Sequence, residues 1–129
     1  MTNVYDQHNS TFAKVSAYVI LAEDRTRAAT IAFKMPADGA GRLWCYLHIL
    51  GMPMVRGFAG GYGYDKKSAA ASAAAHKLPA ARKAQAADGG MRPDIDTAYA
   101  AIFEALRNDG GYDWSRELEN RGLTVLQAV

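Results

Sequence analysis

Apolar and polar residues alternate along the first half of the chain and recur at helical spacing along the second. From Phe12 to Leu21 the period is two, which predicts a strand. Ala13, Val15, Ala17, Val19 and Leu21 share one face, read as inward; Phe12, Lys14, Ser16, Tyr18 and Ile20 share the other. After the turn sequence "EDRTR", a second strand over residues 28–35 sets Ala29, Ile31, Phe33 and Met35 inward and Thr30, Ala32 and Lys34 outward. "PADGAG" turns the chain again. A third strand over 43–50 puts Leu43, Cys45, Leu47 and Ile49 inward, with Trp44, Tyr46, His48 and Leu50 on the opposite face. "GMPMVRGF" reads as a short edge strand, because Pro53 cannot donate to a central ladder.

Helical signals follow. Asp65 is placed to cap a helix from Lys66 to about Leu78 by accepting from the free N–H groups of its first turn. Pro79 breaks or kinks that helix, or opens a second piece, "PAARKAQAA", stopped by Gly89 and Gly90. Ile95, Tyr99, Ile102, Phe103 and Leu106 form the apolar stripe of a helix over about 94–108. Another short helix over 113–121 presents Trp114 and Leu118, and "LTVLQAV" is available as a closing strand. Hairpin-connected strands followed by helices indicate an α+β fold: a mostly antiparallel sheet of three or four strands with helices on one face. Residues 1–11 lack periodicity and read as a flexible leader, with 12–129 as one α+β domain.

Composition narrows the setting. A single cysteine, Cys45, rules out an internal disulfide, and no apolar run approaches the roughly 20 residues that span a bilayer. The first thirty residues do not resemble a secretory signal, so a cytoplasmic location is expected, with no membrane partner. The net charge of +2 is small but unevenly spread. Lys66, Lys67, Lys77, Arg82 and Lys83 face one acid, Asp65, over residues 64–83, whereas eight acids face four arginines from Asp88 onward. This pattern fits either attraction between the two helical regions or a basic patch for an anionic partner.

The segment "GFAGGYGYDKKSAAASAAAHK" joins the strands to the alanine-rich helix. It is not a P-loop, since Tyr64 follows Gly63 where lysine is required, and Lys66 takes the place of the third glycine of a dinucleotide loop. An anion at the helix start, beside Lys66 and Lys67, would meet the Asp65 carboxylate. The alternative is a turn that lets Tyr62 and Tyr64 pack on sheet and helix.

"GYGYDKKSAAASAAAHKL" is similar to the C-terminal stretch of double-stranded RNA-binding domains, in which a lysine pair at a helix start contacts phosphates. Lys66, Lys67 and Ser68 stand at the matching positions, while that family's first helix has no counterpart here. Together, "FAKVSAYVI", "DGAGRLW" and "GGYGYDKKSAA" resemble a group of small phage- and prophage-encoded proteins with a G-x-G-Y-D-K-x-S-A-A segment, mostly without assigned activity. The resemblance implies an accessory protein of mobile DNA, of a kind that binds and blocks host machinery such as restriction or CRISPR complexes. It implies no catalytic residue.

The residues suggest none either. His8, His48 and His76 have no second ligand at metal spacing, and Cys45 has Leu43 and Leu47 beside it rather than a base. Asp94 with Asp96, and Glu117 with Glu119, read as ordinary helix-surface acids. No enzyme activity, cofactor or metal is expected. The candidate surface is the outward sheet face, with Lys14, Ser16, Tyr18, Thr30, Lys34, Trp44, Tyr46 and His48, joined by Tyr62, Lys66, Lys67 and Lys77 beyond the sheet. Its aromatics and bases suit a protein partner; the resemblance implies that this partner is a host protein or nucleoprotein complex in the cytoplasm of a bacterial host, engaged as an inhibitor of host defence. The alternative is a module that binds DNA or RNA directly.

Overall fold

The computed structural model describes residues 12–36, 42–59, 66–87, 93–107 and 113–128. Four strands come first: β1 (Phe12–Leu21), β2 (Arg27–Pro36), β3 (Leu43–Ile49) and β4 (Val55–Ala59). Helices α1 (Lys66–Ala75), α2 (Leu78–Ala87), α3 (Pro93–Leu106) and α4 (Trp114–Glu119) follow, and β5 (Thr124–Gln127) closes the chain. The fold is α+β. All strand pairs are antiparallel in the order β4-β3-β2-β1-β5, so the last strand returns beside the first.

The register fixes which residues share a face. Tyr18 lies opposite Ile31, Ile31 opposite Leu47, and Leu47 opposite Val55. This row, with Ile20, Phe33, Cys45 and Ile49, faces the helices and builds the core with Ala70, Ala71, Ala74, Ala75, Leu78, Ile102 and Leu118. On β1 the observed faces are therefore the reverse of the sequence expectation. Ser16 and Tyr18 lie on the helix side, while Val15, Ala17 and Val19 share the other face with Thr30, Ala32 and Lys34. Alternation reveals which residues share a face but not which face is covered, and β1 is apolar on both.

The alanine run of α1 has a steric reason. At Gly57 on β4 an added Cβ would fall 2.5 Å from the carbonyl carbon of Ala73, so this crossing of helix and strand needs glycine below and small residues above. The two buried serines of α1 serve its other side. Ser68 Oγ accepts from the Trp114 backbone N–H at 3.2 Å, and Ser72 Oγ donates to the Arg107 carbonyl at 3.0 Å. They satisfy backbone groups at the start of α4 and just past the end of α3, where helical ladders leave donors and acceptors unpaired.

Pro79 does not break a continuous helix but sits in the first turn of α2, where its missing N–H costs least. The chain turns at His76 and Lys77 between α1 and α2. Asp113 caps α4, its side chain accepting from the Ser115 N–H at 3.0 Å. The expected cap at Asp65 and the packing of Tyr62 and Tyr64 lie outside the described residues, as does the leader up to residue 11. Among the described residues no helix is long and apolar enough to cross a membrane.

Candidate interaction surface

The face turned away from the described helices carries Thr30, Lys34, Trp44, Tyr46 and His48, as expected, and β4 adds Arg56 and Phe58. It is not uniformly open. Lys34 is fully buried and Tyr46 nearly so, and neither is without a partner. The expectation of Lys34 and Tyr46 as exposed contact groups is thus corrected: both belong to the packed middle of this face. Trp44 and His48 are half-buried. Toward β4 the face opens, with Phe58 43% and Met54 47% exposed and Arg56 exposed between them.

At that margin four side chains stack in series. The Arg42 guanidinium lies 4.6 Å from the Phe58 ring centroid, and Phe58 and Trp44 have centroids 5.0 Å apart at an interplanar angle of 48°. The Arg56 guanidinium lies 5.3 Å from the Trp44 ring. The order Arg42–Phe58–Trp44–Arg56 follows from the β3–β4 register, which sets Trp44 opposite Phe58 and Tyr46 opposite Arg56. Each cation–π contact at such exposed sites is worth about 0.5–1 kcal/mol. The stack therefore holds the aromatic rings in defined orientations with their surface still accessible. Sequence reasoning found Trp44 and passed over Arg42, Arg56 and Phe58. The signal was the alternation in "MVRGF", readable only once β4 is paired with β3.

The remaining candidates are dispersed. On the helix side, the Lys67 ammonium lies 3.5 Å from the Tyr18 hydroxyl and 5.5 Å from the Phe33 ring centroid, against an aromatic cluster in which Tyr18 and Trp114 have centroids 4.8 Å apart. Lys67 and Tyr18 were expected at the surface; both are half-buried there, because Trp114 on α4 closes over β1. Lys77 is exposed at the α1–α2 turn. Lys14 pairs with Met35 in the ladder, and Lys66 opens α1, but their side chains, like Tyr62, fall outside the described residues. The expected surface therefore does not form a single patch.

Among the described residues Ser72 Oγ lies 3.5 Å from His76 Nδ1, but that hydroxyl is buried and donates to the Arg107 carbonyl. Cys45 is fully buried, and burial pushes its thiol well above the ordinary range, away from the thiolate. Exposed His76 has its Nδ1 2.7 Å from the Ser72 carbonyl of its own helix. No three His, Cys, Asp or Glu side chains among the described residues come together as a metal site. A cleft of about 440 Å³ between the β1–β2 turn and α3 is lined by residues that include Ala98, Leu123, Glu23, Arg27 and Arg121, and among the described residues no His, Cys or Ser lines it. Asp24, also in its lining, is occupied: it accepts from the Thr26 hydroxyl and N–H, bonds that hold its carboxyl below the usual range. No protein-family model matches the chain, and comparison with curated proteins and with solved structures gives no match.

Proposed function

We propose that this chain is a non-catalytic binding protein whose β3–β4 margin engages a partner protein. The Arg42–Phe58–Trp44–Arg56 stack carries the reading. Trp and Arg are the residue types that dominate binding energy at protein interfaces, and rigid aromatics lose little side-chain entropy on docking. The partner's chemistry follows from the charge: residues 42–64 hold Arg42 and Arg56 and no Asp or Glu, so the complementary surface is acidic around an apolar centre. With the sequence resemblance to phage-encoded accessory proteins, this supports a host protein or nucleoprotein complex as the target and inhibition of host defence as the outcome. Direct nucleic-acid binding through Lys66, Lys67 and Lys77 has less support, because Lys67 is held against Tyr18.

The test is quantitative capture from nuclease-treated bacterial lysate on immobilised wild-type protein and on the Trp44→Ala/Phe58→Ala double variant. A protein retained by the first and released by the second supports the reading. Equal retention on both, or retention seen only from lysate that has not been treated with nuclease, counts against it.

A further inference from the structure

The hydrogen-bond ladder determines which backbone groups β4 presents at the edge of the sheet. In an antiparallel sheet the N–H and C=O of one residue point to the same neighbouring strand, and successive residues alternate. Leu50 N–H donates to the Ala28 carbonyl at 3.0 Å, just beyond the Ala29–Ile49 pair. Counting back along β3, His48, Tyr46 and Trp44 bond toward β2, which leaves Leu43, Cys45 and Leu47 to bond toward β4. The far side of the sheet agrees. Ala128 N–H donates to the Ala17 carbonyl at 2.7 Å, so Ser16, Tyr18 and Ile20 bond β2 through Phe33, Ile31 and Ala29, and Thr30, Ala32 and Lys34 turn toward β3.

On β4, then, Val55, Gly57 and Ala59 bond back to β3, while the N–H and C=O of Arg56 and Phe58 point outward. β4 ends the strand order, and among the described residues no strand lies beyond it. The same two residues that face outward through their backbones are exposed through their side chains. Such an edge is a template for another strand.

The charge identifies that strand. Pairing β4 with β4 of a second copy would gather two Arg42 and two Arg56 with no carboxylate from residues 42–64 of either chain, and like charges across a strand pair are destabilising. An acidic strand meets the opposite situation. We infer that β4 accepts an extended acidic segment of the partner protein as an added strand, with the segment's backbone bonded to Arg56 and Phe58 and its carboxylates meeting Arg56 and Arg42. This rests on the protein-binding reading above and specifies its geometry.

The experiment uses the isotope-labelled full chain and three capped synthetic peptides: alternating Glu and Val, alternating Lys and Val, and the Glu–Val peptide N-methylated at alternate residues. The Glu–Val peptide is expected to slow amide exchange at Arg56 and Phe58 by about tenfold at saturation, leaving Gly57, already bonded to β3, unchanged. Arg56→Glu should shift preference to the Lys–Val peptide. Equal binding of the N-methylated peptide, binding without slowed exchange, or no binding by any peptide overturns strand addition. Slowing that appears without peptide and grows with protein concentration also overturns it, in favour of a second copy. The capture on Trp44→Ala/Phe58→Ala is independent of these outcomes, so strand addition can fail while the protein-binding reading stands.

Discussion

Gly57 on β4 faces the backbone of Ala74 on α1 with no room between them for a side chain. The obstructing atoms are main-chain atoms of a helix, which cannot rotate away. Gly57→Ala should therefore destabilise the fold by about 1–3 kcal/mol, the usual cost of overpacking. The urea midpoint is expected to fall by the corresponding amount. A midpoint equal to wild type would mean that α1 does not sit on β4 as closely as described.

Lys67 and Lys77 should respond unequally to charge reversal. Lys67→Glu exchanges an ammonium at the Tyr18 hydroxyl and the Phe33 ring for a carboxylate, and should cost about 1 kcal/mol. Lys77→Glu, at an exposed turn, should change stability by less than about 0.5 kcal/mol. Thermal unfolding of the two variants side by side checks this. In the same preparations, wild-type protein titrated into labelled single- and double-stranded DNA and RNA is expected to show no micromolar binding at physiological salt.

Asp113 should make part of the stability dependent on acid. Its carboxyl accepts from the Ser115 hydroxyl at 2.7 Å and from the Ser115 N–H, and these bonds hold it below its ordinary value of 3.8. A carboxyl with a depressed folded pKa stabilises fully above the unfolded value, and the contribution is lost as pH falls through the folded one. Asp113→Ala should cost about 1 kcal/mol at neutral pH. The gap between variant and wild type should close as the pH is lowered below about 4, measured by denaturant unfolding at a series of pH values.

Cys45 should be silent in the native protein. Buried and held as the thiol, it should resist a thiol-specific reagent at about pH 8 and react stoichiometrically once the chain is unfolded in guanidinium. Rapid reaction of the folded protein would show that β3 opens locally.

The sheet was legible because β1, β2 and β3 keep a period of two between turn sequences, and α3 because its apolar residues recur every three or four positions. The inversion of β1 shows where periodicity stops. Val15, Ala17 and Val19 are as apolar as a core face, and what assigns Tyr18 to the helix side is Trp114, nearly a hundred positions away in sequence. The same contact turned Lys67 from an expected phosphate ligand into a half-buried neighbour of an aromatic cluster. The four-member stack on β3 and β4 was illegible for a related reason. Arg42 and Phe58, or Arg56 and Trp44, become neighbours only through a strand register, and no local pattern encodes which residue will lie diagonally across the ladder.

The central claim is that the β3–β4 margin is where a protein is bound. The most direct measurement replaces Phe58 with a photo-reactive phenylalanine analogue, irradiates the protein in bacterial lysate and identifies adducts by mass spectrometry, with the same analogue at exposed Lys83 as reference. The account predicts a dominant protein adduct from position 58, absent from position 83 and lost when Arg56→Glu is added. Nucleic-acid adducts in its place, or no enrichment over position 83, would contradict it.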